Sequence, residues 1–552
     1  MHSRIASSGC FLTEIDAQAL AFFVKILYYI SINAKEADDV KPKKLKKLVS
    51  LLLSMTLLLG IAALSGASSY LLQSVGAADL TTDSGYVYTI DAIKSTAQIT
   101  GYTGTAHTCT IPSDISGYKV TSLKAEAFKN KNTILSVTIP DTVTTIGSEC
   151  FSGCTLLGTL NMGSGISSIG SKAFENCKIL STLDVPAATA SIGSDAFYGC
   201  TSLSAVNVAD GNLVYQSKDG ILFDKLGTKL ILYPAAHSGS TYNVSGVKQI
   251  EDYAFYGCKN LTTVETAASV TTLGKGVFKD CTALTSVALG GSLKKLEDSV
   301  FSGCKKLTSL KLPTTLVSIG ESAFKGCTSI KNLTIPTGVT TVGADAFSDC
   351  TGLTTVTVTK DVTALSGAAF KGCTALSEFK VQVGGSFTVS KGVLYNKDGT
   401  RLVAYPAGNT AESFTVPDKV TAIGTYAFDS CKHLKKLIVP ASVKTLAKPA
   451  IRNCTATVIY AEKSSAAQDY FKANTDGFAE LKIGKDVLPG DINTDGVVDN
   501  ADVILLRRYV AKWKDIQIDT DAADVNNDSA IDNADVILLR RYVAKWENVT
   551  LK

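Results

Sequence analysis

The stretch Lys305–Cys327 reads KKLTSLKLPTTLVSIGESAFKGC, and versions of this 23-residue phrase recur from about residue 105 to about residue 460. Each copy is marked by a Phe followed three residues later by a Cys. Phe151/Cys154, Phe174/Cys177 and Phe197/Cys200 advance in steps of 23, as do Phe255/Cys258, Phe278/Cys281, Phe301/Cys304, Phe324/Cys327, Phe347/Cys350 and Phe370/Cys373. Phe128 opens the series with Lys131 in the Cys slot, and Phe428/Cys431 and Ile451/Cys454 close it. A fixed period of roughly 20–50 residues marks a solenoid, in which each unit buries its apolar side only by stacking on its neighbours. Within the phrase, Leu307, Leu310 and Leu312 predict a short strand with apolar residues inward, ended by Pro313. Val317 and Ile319 predict a second extended piece, and Gly320 leads into a helical turn around Ala323 and Phe324.

The bulk numbers narrow the function classes. With 45% hydrophobic and 19% charged residues the 552-residue chain is folded and long enough for several domains. Residues 1–78 hold 8 of the basic and 5 of the acidic residues, which leaves 46 against 45 in the remainder. No basic field is left to draw nucleic acid, so none is expected as a partner. Of 14 Cys, 11 share one slot of the repeat, a column expected to face inward as small hydrophobes. Stacked strands lie close enough that distance alone does not exclude bridging, but the expectation is reduced, buried thiols. Zinc is a poor reading, because the chain has four His and no CxxC.

In chain order, Lys41–Lys47 (KPKKLKK), the apolar run Leu48–Leu64 and small residues ending at Ala78 read as a secretory signal peptide that begins some 40 residues late. Residues 1–78 are thus expected to be a spurious extension plus a signal, cleaved after Ala78. The rival is an uncleaved anchor; with cleavage, no permanent membrane span remains. Residues 79–127 alternate apolar residues with Gly-containing turns and predict a strand-rich N-terminal cap. The repeats then run over 128–460. Twice the spacing jumps from 23 to 58, at insertions of about 205–250 and 378–423. Gly220–Pro234 parallels Gly392–Pro406, and the turn at Asp398-Gly399 predicts hairpins that reach to one side. SSAAQDYFKAN, from Ser464, predicts a helix in a C-terminal cap over 461–482, followed by a linker at 483–488.

The final segment, 489–552, repeats with an offset of 33: Asp499–Trp513, DNADVILLRRYVAKW, returns unchanged at Asp532–Trp546. Each copy follows an acidic loop with oxygen ligands at positions 1, 3, 5, 9 and 12. In the first these are Asp491, Asn493, Asp495, Asp499 and Asp502; in the second, Asp524, Asn526, Asp528, Asp532 and Asp535. Position 7 supplies a backbone carbonyl, from Val497 or Ala530. Calcium is hard and large and takes six to eight oxygens from such a loop, so two Ca2+ sites are expected. Position 12 is Asp rather than Glu, and position 6 is Gly496 in one loop but Ser529 in the other. A helix is expected after each loop, reaching to the Trp, with Val503, Leu506, Val510 and Trp513 on one face.

Residues 489–549 resemble a type I dockerin, a module of two calcium loops, each followed by one helix, that binds a cohesin domain on a cellulosome scaffold. The resemblance implies that cohesin is contacted through Asn500, Ala501, Arg507, Arg508 and Lys512, and through Asn533, Ala534, Arg540, Arg541 and Lys545. Because the copies are identical, it also implies that either helix can lead. Residues 86–460, through the phrase LTSLKLP…LVSIGESAFKGC, resemble the BspA-like bacterial surface leucine-rich repeats. The expected fold is therefore a leucine-rich repeat β-solenoid (α/β, parallel strands), plus a small all-α calcium-binding domain.

Three functions compete. The first is a secreted, non-catalytic protein that docks on a cohesin and presents the repeats to an unknown protein or cell-surface target. The second is an enzyme of polysaccharide degradation. It is disfavoured because no carboxylate pair stands in a distinctive context and no G-x-S-x-G motif appears. The third is a structural spacer without ligand. Outward strand positions such as Thr138, Asn161, Asp184, Lys311 and Thr334 are mostly small and polar, with Tyr242 the one aromatic in ten, so sugar stacking on that face is disfavoured.

Overall fold

The computed structural model describes residues 79–483, 488–493 and 497–551. The expected leader over 1–78, much of the linker, and Asp495 with Gly496 lie outside the described residues. No helix among the described residues is long and apolar enough to cross a membrane.

Each coil carries two short strands and a run of turns. Ser309–Lys311 pairs in parallel with Ser286–Ala288, setting Leu310 opposite Val287. Ser318–Ile319 pairs in parallel with Lys295–Leu296 and with Thr341–Val342. Partners stand 23 residues apart, so the sequence period is the pairing register itself. Parallel neighbours need a long crossover, and the rest of the coil supplies it. Leu307, Leu316, Ile319, Ala323, Phe324 and Cys327 are buried, while Leu310 and Leu312 are partly buried against the same core. Of the expected second extended piece, Ser318–Ile319 is the strand, and Val317 just before it is 45% exposed. The turn from Pro313 to Leu316, closed by Leu316 N–H donating to Pro313 O, shifts the phase and delivers Leu316 to the core instead.

The expected helical turn is a series of tight turns. Ser322 (φ 55°) and Gly326 (φ 72°) are left-handed on either side of Phe324, which stops an α-helical ladder from propagating. Phe278, Phe301, Phe324 and Phe347 stack at centroid spacings of 5.3–5.4 Å and interplanar angles of 5–13°. Their amides tie coil to coil: Phe301 N–H donates to Ala323 O and Phe324 N–H to Ala346 O, both at 2.7 Å. Gly320 lies where neighbouring coils approach closely; a Cβ there would sit 2.7 Å from the Glu297 carbonyl carbon.

At the N-terminal end, Leu80–Thr81, Tyr86–Asp91 and Thr96–Tyr102 are antiparallel, and the last pairs in parallel with Tyr118–Leu123. Tyr102 lies 5.4 Å from Phe128 and closes the ring stack. At the other end, helix α1 (Ala466–Ala473) is capped by Ser465 and buries Ala467 and Phe471. The strand Phe478–Ile483 pairs beyond it with Cys454–Ala461.

The insertions do not simply reach sideways. Tyr215–Lys218, Ile221–Asp224 and Lys229–Leu232 form an antiparallel meander whose last strand rejoins the parallel column at Gln249–Ile250. Phe387–Ser390, Val393–Asn396 and Arg401–Ala404 repeat this, rejoining at Ala422–Ile423. These meanders are two-faced walls. Leu222 packs into the N-terminal core while Ile221 and Phe223 pack into the middle one. Leu394 belongs to the middle core, and Val393 and Tyr395 to the last. The array therefore has three successive apolar cores.

The C-terminal module holds helices α2 (Asn500–Val510), α3 (Thr520–Ala523) and α4 (Asn533–Val543). They close on Ile492, Val503, Leu506, Val525 and Leu539.

Candidate functional site

The acidic loops and the helices after them use one local design twice. Asp499 caps α2, its Oδ1 accepting from Ala501 N–H at 2.7 Å, and Asp502 Oδ2 accepts from Asp499 N–H at 2.9 Å. Asp532 and Asp535 form the same capping box on α4. Asp502 Oδ1 also accepts from Ile492 N–H (2.7 Å) and Asn493 N–H (3.0 Å), which ties the start of the loop to its end. Asp535 Oδ1 accepts from Val525 and Asn526 N–H at 3.0 and 3.3 Å.

Both Asp502 and Asp535 are fully buried, and neither has a cationic side-chain partner among the described residues. A buried carboxylate without a countercharge is costly by several kcal/mol. A divalent cation in the loop would supply the charge, so the residues fit calcium. In the second loop, backbone N–H groups orient the side-chain oxygens. Asp524 accepts from Asp528 and Ser529 N–H, Asn526 Oδ1 from Asp528 N–H, and Asp528 Oδ1 from Ala530 N–H, at 2.8–3.1 Å. Ser529, at position 6, takes φ 68°, the left-handed turn that Gly would adopt freely. In the first loop Asp491 is buried and Val497 is exposed, while Asp495 lies outside the described residues. Among the described residues no three His, Cys, Asp or Glu cluster tightly enough to hold an ion alone. The oxygens that an ion could draw on here include the Asn493 and Asn526 amides and the Val497 and Ala530 carbonyls as well as carboxylates, a hard all-oxygen set.

Asn500, Ala501, Arg507, Arg508 and Lys512 are all exposed, as are Asn533, Ala534, Arg540, Arg541 and Lys545. The helices stop short of the Trp residues. Lys512 (φ 58°) and Lys545 (φ 56°) are left-handed, and Trp513 N–H donates back to Arg508 O while Lys512 N–H donates to Tyr509 O. This Schellman turn ends the helix without a Gly. Trp513 and Trp546 are consequently 61% and 60% exposed, not on the buried face. Arg508 and Arg541 lie over these rings at 5.4 and 5.3 Å. Sequence reasoning also missed Ile504 and Ile537, each 51% exposed. Ala501, Ile504 and Arg508 follow at helical i, i+3, i+7 spacing, so the outer face carries an apolar centre. The signal was present: Ile504 stands one residue off the inward stripe of buried Val503 and Leu506 and partly buried Val510.

Comparison with known proteins agrees with this division. The model for BspA type leucine rich repeat regions matches residues 121–220, 248–378 and 405–483 in six copies, together more than half of the chain. The model for the dockerin type I domain matches residues 489–544. A leucine rich cell surface protein from Faecalibacterium prausnitzii is 24% identical, with 56% of this chain and 96% of that one covered at a TM-score of 0.37. A leucine-rich repeat protein from Bacteroides ovatus is 22% identical, covering 73% and 100% at 0.39. The pneumococcal vaccine antigen PcpA is 16% identical, covering 74% and 99% at 0.38. At these scores the family matches, not the neighbours, carry the assignment. No curated protein matches the chain.

Proposed function

Because this chain belongs to the BspA-type leucine-rich repeat proteins and carries a dockerin type I domain, both non-catalytic families, we propose that it is a secreted, non-catalytic protein that docks on a cohesin of a cellulosome scaffold. Its repeat array, bounded by a strand-rich cap over 79–127 and a helical cap over 461–482, presents a surface to a protein or cell-surface target. The signal peptide within residues 1–78 directs export and is cleaved after Ala78. Dockerin type I domains bind calcium. Here two ions are held, by Asp491, Asn493, Asp495, Val497, Asp499 and Asp502, and by Asp524, Asn526, Asp528, Ala530, Asp532 and Asp535.

Calcium supplies the positive charge that lets both acidic loops close. The chain's own residues then fix the docking face. Asp499 and Asp532 start the helices, Asp502 and Asp535 hold the loops to them, and the Schellman turns set Lys512 and Lys545 beside the Arg pairs.

The observation that carries the docking reading is the duplicated exposed face: Asn500, Ala501, Ile504, Arg507, Arg508 and Lys512 recur letter for letter on α4 with the same caps. Either copy then seats on cohesin after a half rotation of the module. The test is capture of the full chain by an immobilised cohesin, in calcium and again in chelator. Capture with calcium and release with chelator are expected; binding indifferent to calcium would sink the reading.

A further inference from the structure

The first interruption of the array leaves an open cleft of about 510 Å³ between the coil of Phe197 and that of Phe255. Its lining holds four carboxylates (Asp195, Asp224, Glu251, Asp252) and one ammonium, Lys229. Lys229 is taken by Glu251 at 2.7 Å, so three carboxylates remain without a cationic partner among the described residues. Asp195 Oδ1 is buried and has no hydrogen-bond partner among the described residues. Burial, and then the nearby Asp252, push the Asp195 carboxyl above its ordinary range. Beside these acids stand three tyrosines: Tyr198 lies 4.2 Å from Tyr256 and 4.8 Å from Tyr253 between ring centroids. Asp195 (φ 57°) and Tyr253 (φ 55°) both occupy the left-handed slot two residues before the Phe, so their placement is fixed by the coil rather than by a mobile loop.

The second interruption shows what such a seat attracts. Counted from the Phe marks, Tyr426 stands where Tyr253 does, Lys371 where Tyr198 does and Arg452 where Lys279 does. There the chain's own cations fill the place. Lys371 lies 4.7 Å and Arg452 5.1 Å from the Tyr426 ring centre. Lys371 pairs with Asp345 and Arg452 with Asp429, both at 2.6 Å. At the first interruption Tyr198 takes the place of Lys371, and Lys279, whose Nζ donates to the Tyr198 hydroxyl at 3.4 Å, lies over the Tyr198 and Tyr253 rings at the longer distances of 5.8 and 6.0 Å.

We propose that this cleft is a binding site for a lysine or arginine side chain of a protein partner, held by the Tyr198, Tyr253 and Tyr256 rings and by Asp195 and Asp252. Cations over tyrosine faces, backed by carboxylates, are the chemistry that Tyr426 displays within the same chain. The inference rests on reading the array as a protein-binding surface, names the chemistry of one seat on it, and does not require cohesin docking.

The test uses the full chain in calcium and a fluorescent tetra-lysine peptide followed by anisotropy. The acetylated peptide should bind at least about tenfold more weakly, and so should the lysine peptide to Asp252→Asn and to Tyr198→Lys, which installs the second seam's own cation. Asp252 is exposed, so its variant leaves the core intact even where Tyr198→Lys disturbs it. The calcium loops are unchanged in both variants, so any peptide they hold cancels in the comparison. Equal binding to wild type and Asp252→Asn, indifference to acetylation, or displacement by a neutral oligosaccharide would overturn the proposal. Retention of extracellular proteins by an array whose cleft variants retain them equally would overturn this seat alone and leave the wider reading standing.

Discussion

The thiol of Cys327 donates to the carbonyl oxygen of Phe301 in the preceding coil at 3.1 Å. The pattern repeats down the column, from Cys304 to Phe278, Cys350 to Phe324 and Cys373 to Phe347 at 3.0–3.1 Å. The Cys slot is thus a small apolar residue with one weak donor aimed at a buried acceptor, and the same carbonyl also takes the amide of its own coil, as Phe301 O does from Cys304 N–H. All thirteen described Cys are free and buried. Native protein should therefore react with a thiol reagent only as fast as it unfolds. Cys327→Ala should cost about 1–2 kcal/mol, and Phe324→Ala about 3–5, by denaturant titration of the array.

The same burial predicts an alkaline limit. Burial pushes the Cys350 and Cys200 thiols from 9.0 up to about 12. Below pH 9 the thiol is protonated in both folded and unfolded chains. Above it the unfolded chain releases protons that the coil still holds, so stability falls between pH 9 and about 12. Melting temperature should drop across that window, and less steeply in Cys350→Ser, which has no thiol to titrate; equal slopes would count against this cause.

Duplication of the docking face predicts redundancy. Arg508→Ala or Arg541→Ala alone should weaken cohesin capture by no more than about twofold, because the other helix still presents its face. Ile504, Arg508, Ile537 and Arg541 all changed to Ala should cost roughly a hundredfold, about 3 kcal/mol, in a surface-binding titration.

The left-handed Ser529 predicts an easy improvement. Ser529→Gly should relieve about 1 kcal/mol of backbone strain and tighten the second calcium site roughly fivefold by calorimetry. Asp535→Ala, which removes a proposed calcium ligand and the staple to Val525 and Asn526, should abolish calcium binding by the second loop and loosen α4 by circular dichroism.

The array was legible because its period is its register: Phe301 and Phe324 stack as 23-residue spacing requires. The misread turns share one cause. Ser322, Lys512 and Lys545 adopt left-handed turns without the Gly that usually announces them, so a helix was expected through each. Ile504 is easily missed because an apolar residue next to Val503 reads in sequence as a widening of the inward stripe, whereas it is 51% exposed. The cleft was invisible for another reason. Asp195 and Tyr256 are 61 positions apart across an insertion, and only folding brings them to one opening.

The meanders at Tyr215–Leu232 and Phe387–Ala404 have a consequence for durability. In a solenoid with one continuous core, a cut in any coil exposes the next, and damage spreads along the stack. Here alternate residues of a single strand, Leu222 against Ile221 and Leu394 against Val393, already cover both neighbours. A protease that opens the middle block meets a finished surface on either side. The array behaves as a hull with bulkheads, losing one compartment at a time.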